Sequence, residues 1–252
     1  MTYYLTDGTS DGFYSAVFDA YADKEAFVTA KSRIQLSFGD RLVSVETIEE
    51  KAERVRKKLT LCDVHALDDL SILLRSSEDG TEQAAFLYIR ELVHRGRPVK
   101  GRLAEPAVFD ALDRIARVKE EAHRFTGFLR FTENSDGVLY APFSPDHDIL
   151  SLLVPHFLKR LPGIPFLIHD KKRHKIAVCD GKTYTFAVAC DSATFVPSPE
   201  QEEWENLWKK YYRHVNAALR PHEKQMRGSM PVRYWKYLPE KNQRNSVPKI
   251  FK

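Results

Sequence analysis

Residues 146–170 contain six histidine and aspartate residues, whose side chains can bind metals or exchange protons near neutral pH. They are Asp146, His147, Asp148, His156, His169 and Asp170. His156 falls within the apolar series of a predicted helix, which favours a position in the core. The subset predicted to be catalytic, by general acid–base chemistry and without a metal ion, is Asp146, His147, His169 and Asp170.

A second group lies near the carboxyl end, where basic and aromatic residues are interleaved. Residues 209–252 contain 12 Lys and Arg against 2 Asp and Glu, whereas the rest of the chain has 27 against 33. Cationic side chains neutralise phosphates and flat rings stack on unpaired bases, so this segment is predicted to hold a polyanion, above all DNA. The residues predicted to bind nucleic acid are Arg130, Arg213, Lys224, Arg227, Arg233, Tyr234, Trp235 and Lys236.

The roles of the aromatic residues in this region stay open at the level of sequence. We call residues 220–252 the basic arm. Tyr234 and Trp235 could stack on bases, or they could anchor this arm to the core. The preceding helix has an apolar stripe that includes Trp204, Leu207 and Trp208, and this spacing predicts core packing. The basic run from Lys171 to Lys175 predicts a solvated hairpin turn.

Short motifs that identify enzymes and cofactor sites are absent from the sequence. There is no GxxxxGK[ST], GxGxxG, GxSxG or HExxH pattern, and the three cysteines, Cys62, Cys179 and Cys190, form no CxxC pair. We therefore predict no cofactor, no disulfide framework and no iron–sulfur cluster.

The composition is that of a folded domain, with 43% hydrophobic and 29% charged residues. No apolar run approaches the roughly 18 residues that a membrane span requires. The first residues show no basic region followed by an apolar stretch, so the sequence predicts no secretory signal, no membrane partner and a cytoplasmic location.

Helical periodicity dominates residues 1–103. A short strand is predicted at Tyr3–Thr6, and Thr47 with Glu50 forms a capping-box pattern ahead of a helix. The other helices predicted are Phe13–Tyr21, Val64–Arg75, Glu82–Arg95 and, beyond the boundary, Pro106–Arg124. Residues 96–102 combine glycine and proline without an apolar period. They predict a boundary between a mainly helical part, 1–103, and a second domain, 104–252.

Residues 104–252 predict an α+β domain that ends in the basic arm. A hairpin at residues 134–137 joins strand candidates at Gly127–Thr132 and Val138–Pro142. A helix follows, and then three strand candidates, of which the last two meet at Asp180-Gly181. The sequence therefore predicts an antiparallel sheet with packed helices, followed by a helix that Ser198 caps.

Several blocks of the sequence resemble one bacterial family assigned to DNA metabolism or DNA repair, of otherwise unknown function. They are EAHRFTGFLRF (Glu121–Phe131), DGVLYAPFSPDHDILSLLVPHF (Asp136–Phe157), IHDKKR (Ile168–Arg173), MPVRYWKYLPE (Met230–Glu240) and the opening DGTSDGFYSAVFDAY (Asp7–Tyr21). Members of that family are encoded beside a radical S-adenosylmethionine protein, and related domains are fused to uracil-DNA-glycosylase-like proteins. The resemblance implies a nucleic-acid context and a radical S-adenosylmethionine protein as a partner.

Three functions are compatible with these patterns. The first is a DNA-binding accessory protein in repair or modification that acts with a partner enzyme. The second is an enzyme acting on DNA, a glycosylase or nuclease, that uses the histidine and aspartate group. The third is a protein-interaction scaffold whose acidic N-terminal part docks the partner.

Overall fold

The computed structural model describes residues 1–31, 34–188, 197–215, 227–228 and 230–241, with the backbone alone at 202 and 211–215. The chain forms two compact units, Met1–Lys119 and Glu120–Lys252. The division of the sequence after residue 103 stays a prediction. Within the described ranges, no helix has the length and apolar character needed to cross a membrane.

The first unit contains a small parallel sheet and a set of helices. Its elements are β1 (Thr2–Leu5), α1 (Ser10–Ala20), β2 (Ala26–Thr29), β3 (Arg41–Ser44), α2 (Glu49–Cys62), α3 (Ala66–Leu73), α4 (Thr81–Arg95) and the start of α5 (Pro106–Phe128). The three strands are parallel in the order β2–β1–β3. The predicted helices are therefore present, and two strands join the single strand that the sequence predicted here.

The Asp7 side chain in the loop after β1 contacts the segment that precedes α2. The Asp7 carboxylate accepts hydrogen bonds from the Thr9 backbone N–H (2.8 Å) and from the Thr47 hydroxyl (2.8 Å). α2 begins at Glu49 with Ile48 at the N-cap position, one residue later than the predicted capping box requires, and no side chain caps it. The predicted capping box therefore does not form.

The second unit is built on a five-stranded sheet. After residues 120–128 of α5 come β4 (Thr132–Glu133), β5 (Leu139–Phe143), α6 (Leu150–Arg160), β6 (Phe166–Asp170), β7 (Lys175–Cys179), β8 (Tyr184–Val188), α7 (Gln201–Val215) and a C-terminal 3₁₀-helix (Val232–Tyr237). The strand order follows the chain from β4 to β8. The α+β class is confirmed.

The sheet is mixed and not wholly antiparallel as predicted, because β5 and β6 are parallel while its other neighbouring strands are antiparallel. Adjacent strands joined through a helix run in the same direction, and α6 is that connection.

Residues 127–128, predicted as the start of a strand, belong to α5 instead. The buried residues Glu121, Phe125 and Leu129 continue a spacing of four, which keeps this segment helical up to Phe128.

The turn at Asp180-Gly181 confirms the second predicted hairpin. The Asp180 carboxylate accepts hydrogen bonds from the backbone N–H groups of Lys182 (2.8 Å) and Thr183 (2.6 Å), which lower the pKa of Asp180 to about 2. Gly181 has a φ of +89°, in the left-handed region. Its carbonyl oxygen accepts from the Gly163 backbone N–H at 3.1 Å, so the hairpin lies directly against the loop after α6.

Candidate nucleic-acid interface

An open cleft of about 1000 Å³ lies on the second unit. It is lined by residues from the loop after α5, from β4, β5 and α7, and from the 3₁₀-helix. The apolar lining includes Phe131, Leu139, Pro142, Trp204, Leu207, Trp208 and Tyr237. The charged lining consists of Arg130, Glu133, Glu205, Lys209 and Lys236. The cleft is thus an apolar surface with charged groups among its lining residues.

The tryptophans of α7 lie on the surface of this cleft. Trp204 is 64% exposed and Trp208 is 37% exposed, and Leu207 between them is also exposed. The prediction that this stripe packs in the core is therefore wrong for these three residues. Gln201, at the start of α7, uses its side-chain oxygen to accept from the Glu133 backbone N–H (3.2 Å), so α7 is held at its N-terminal end against β4.

Arg130, Trp208 and Glu240 form one connected group at the cleft. The Arg130 guanidinium pairs with the Glu240 carboxylate at 2.8 Å, and its central carbon lies 5.2 Å from the centre of a Trp208 ring. The Trp208 indole N–H donates to the other Glu240 oxygen at 2.9 Å. These bonds fix the orientation of the Trp208 ring, so its position does not depend on a ligand.

The 3₁₀-helix sorts its side chains by a period of three. Residues three apart lie on the same side of such a helix. Tyr234 is buried, with a relative exposure of 2%, and its ring packs against those of Phe125 and Phe128. Tyr237 and Lys236 both line the cleft, and Lys236 and Arg233 are exposed. Tyr234 is therefore an anchor of the arm, one of the two roles that the sequence left open.

Glu121 of α5 is the polar centre beneath this helix. Its buried carboxylate accepts from the Tyr234 hydroxyl at 2.5 Å and from the backbone N–H groups of Asp146 and His147, each at 2.8 Å. Burial, and then the bond to Glu121, raise the pKa of Tyr234, which keeps the hydroxyl protonated and donating. Glu121 was not among the residues predicted from the sequence to form a site.

The two aspartates of the predicted catalytic group have structural partners. The Asp170 side chain is fully buried and accepts from the backbone N–H groups of Lys172 (2.9 Å) and Arg173 (3.2 Å). It also pairs with the Arg173 guanidinium at 3.0 Å. Arg173 in turn donates to the backbone carbonyl of Asp146 at 2.5 Å. The turn after β6 is thereby tied to the loop before α6.

The two histidines of that group lie in different surroundings. His169 precedes Asp170 in β6, so their side chains point to opposite faces of the sheet. The hydroxyl of Tyr140 lies 2.9 Å from His169 Nδ1, and burial raises the pKa of that tyrosine. His147 is buried in the loop before α6, whereas His156 is exposed, which corrects its predicted core position.

Arg173 therefore connects Asp146 to Asp170, whereas His169 contacts the hydroxyl of Tyr140. Among the described residues, no group of three or more His, Cys, Asp or Glu side chains is arranged to hold a metal ion. The catalytic role of the four residues stays a prediction.

The remaining residues predicted to bind nucleic acid differ in how the structure presents them. Arg227 is exposed, and Trp235 is half-buried, with its indole N–H donating to the Met230 carbonyl at 3.0 Å. The side chain of Arg213 and the whole of Lys224 lie outside the described residues. Arg130 and Lys236 both line the cleft.

A family model described as a domain of unknown function, DUF4130, matches residues 79–240, more than half of the chain. The chain belongs to the DUF4130 family. The DUF4130 region ends at Glu240 and includes every residue that lines the cleft, as well as the Glu121 and Tyr234 pair. No curated protein and no solved structure matches the chain.

Proposed function

We propose that this DUF4130 protein is a DNA-binding accessory protein in DNA repair or modification, and that the cleft of its second unit binds unpaired bases. A partner enzyme would then act on the DNA that the protein holds. The family resemblance of the sequence supports a radical S-adenosylmethionine protein as that partner.

The observation that carries the proposal is the exposure of two tryptophans in a cleft with cationic residues in its lining. Burying a large aromatic side chain is favourable, so a Trp204 that is 64% exposed gives up that stabilisation. A ring so placed offers a face on which a base can stack, worth about 1–3 kcal/mol for each base. Lys209 and Lys236 supply positive charge in the same lining. Rings for bases and cations for phosphates are the combination that single-strand binders use.

Stacking favours a single strand over a duplex as the ligand. Bases inside a duplex are covered on both faces by their neighbours and present only their edges in the grooves. A tryptophan face can therefore be used fully only by a base that is unpaired, at a strand end, a gap or a damaged position. The lining also contains Glu133 and Glu205, which reduce the positive charge available for a duplex backbone.

The proposal is tested by changing both Trp204 and Trp208 to alanine. Affinity for a fluorescein-labelled 12-nucleotide oligothymidylate, measured by fluorescence anisotropy, should fall at least about tenfold, since two stacking faces are removed. The wild-type protein should bind the same length of duplex more weakly, and its affinity for the single strand should fall as salt rises.

The matched control removes an exposed aromatic ring elsewhere. Phe109 of α5 is 56% exposed and does not line the cleft. Phe109→Ala should therefore leave oligothymidylate affinity unchanged. If the double tryptophan variant, folded by circular dichroism, bound the single strand as tightly as the wild type, the cleft would not be the binding site.

A further inference from the structure

A short row of cations extends from the cleft along the loop before α6. Lys236 lines the cleft and its ammonium lies 3.4 Å from the Ser144 hydroxyl. Two residues further along that loop, Asp146 pairs with Arg233 at 2.7 Å, and Lys172 lies 4.0 Å from the other oxygen of the same carboxylate. We call Lys236, Arg233 and Lys172 the cationic strip.

The strip follows from the geometry of two elements. The period of the 3₁₀-helix sets Arg233 and Lys236 on one exposed side. Lys172 lies in the turn after β6. The backbone of this turn is held by the hydrogen bonds that Lys172 and Arg173 donate to the Asp170 carboxylate. The three cations therefore lie on backbone segments whose positions are fixed by hydrogen bonds. The side chains of Arg233 and Lys172 are 54% and 50% exposed.

Asp146 is the acidic group in the middle of this strip. Its carboxylate is 44% exposed, so it is not needed to neutralise a buried charge. Its backbone N–H and carbonyl, bonded to Glu121 and to Arg173, hold the loop without help from the carboxylate. The negative charge occupies the place in which Arg233 and Lys172 would otherwise meet an external anion.

We propose that the cationic strip holds the sugar–phosphate backbone of a nucleic-acid strand next to the cleft, and that Asp146 competes with those phosphates for Arg233 and Lys172. This deepens the proposed function and rests on it for the identity of the ligand. Asp146 acts as a built-in counter-ion that keeps the affinity moderate. A strand that binds must displace the carboxylate from its two partners.

The test uses a probe that has phosphates but no bases, a labelled 12-nucleotide strand of abasic sites. Asp146→Asn keeps the size of the side chain and removes its charge. This variant should bind the abasic strand about two- to fivefold more tightly at low salt, the range expected when one exposed ion-pair partner is removed. Each additional phosphate contact should steepen the slope of log affinity against log salt by about 0.7. Lys172→Glu should weaken binding of the same strand.

The control variant makes the same charge change two residues away. Asp148 pairs with Lys175 at 2.5 Å, and neither belongs to the strip. Asp148→Asn should change affinity for the abasic strand by less than Asp146→Asn does. Equal tightening by both variants, or no tightening by Asp146→Asn, would overturn the proposal. So would competition by a polyglutamate peptide as strong as that of the abasic strand, because it would assign the strip to acidic protein segments.

The two proposals fail in different ways. If the cleft does not bind bases, oligothymidylate and the abasic strand will bind equally and the tryptophan variants will change neither, while the effect of Asp146→Asn persists. If the strip does not bind phosphates, the tryptophan variants will still weaken oligothymidylate binding, and Asp146→Asn will leave the abasic strand unaffected.

Discussion

Replacing Glu121 with alanine is expected to lower the free energy of unfolding of the second unit by at least about 3 kcal/mol. The Glu121 carboxylate accepts three hydrogen bonds, from the Tyr234 hydroxyl and from the backbone N–H groups of Asp146 and His147. Each donor left unsatisfied in a buried site costs about 1–3 kcal/mol. Urea denaturation followed by tryptophan fluorescence measures the loss, since Trp204 and Trp208 report on this unit.

The neighbouring residue supplies the control. Glu120 has the same charge, but its side chain is 60% exposed and pairs with Arg124 one helical turn away. Such pairs contribute about 0.2–0.5 kcal/mol, so Glu120→Ala should be nearly neutral. A Glu121→Ala protein as stable as the Glu120→Ala protein would show that the buried network does not hold the loop and the 3₁₀-helix.

Gly181→Ala is expected to destabilise the second unit by about 2–5 kcal/mol, from two separable causes. The first is the left-handed backbone at Gly181, φ +89°, which costs about 1–2 kcal/mol for a residue with a Cβ atom. The second is overlap, because a Cβ atom there would lie 2.5 Å from the Gly163 carbonyl carbon and 2.7 Å from the Ile164 nitrogen. Both neighbours are backbone atoms, so the overlap can be removed only if the hairpin moves away from the loop after α6.

Two other glycines separate these causes. Gly137 also has a left-handed backbone, but a Cβ atom there would come no closer than 3.9 Å to any neighbour, so Gly137→Ala should show the conformational cost alone. Gly127 has open space and lies in α5, where alanine is favourable. Thermal or urea unfolding should rank the variants Gly127→Ala, Gly137→Ala and Gly181→Ala from most to least stable. If the Gly181→Ala and Gly137→Ala proteins were equally stable, the hairpin would move away from the added Cβ atom without a loss of stability.

The elements that sequence predicted well are those whose determinants are local. The turns at residues 134–137 and at Asp180-Gly181 are specified by glycine and by the hydrogen bonds of Asn134 and Asp180 within each turn. The strands β2 and β3 were missed because each has only four residues and pairs in parallel with β1 across a long separation in sequence. Such strands have no turn chemistry to mark them and no room to display an alternating pattern.

The candidate site was only partly predictable for the same reason. Basic and aromatic composition pointed to the C-terminal segment, but composition does not tell whether a ring is buried. Tyr234 is an anchor and Trp204 is exposed, and each outcome depends on what packs nearby. The bonds of Asp170 to the turn after β6 also depend on how the chain folds there, and no motif in the sequence indicates them.

Glu121 carried a signal that was available in the sequence. It lies three residues after Val118 and four before Phe125, so it occupies the apolar stripe of α5, whereas Glu120 does not. A single carboxylate on an apolar stripe requires donors that come from elsewhere in the fold. Its partners, Asp146 and Tyr234, are distant in sequence, and only the fold identifies them.

The 3₁₀-helix is too short to persist by itself, since an isolated turn of this kind gains little from its own backbone bonds. Its order therefore depends on docking through Tyr234, and undocking is a local opening equilibrium of the folded protein. A ligand that contacts Tyr237 and Lys236 binds only the docked state and must shift this equilibrium.

Amide hydrogen exchange at Tyr234 and Leu238, whose N–H groups donate hydrogen bonds within the segment, should slow when oligothymidylate is added. Exchange rates that stay unchanged at saturating oligonucleotide would show that the arm is docked with or without its ligand.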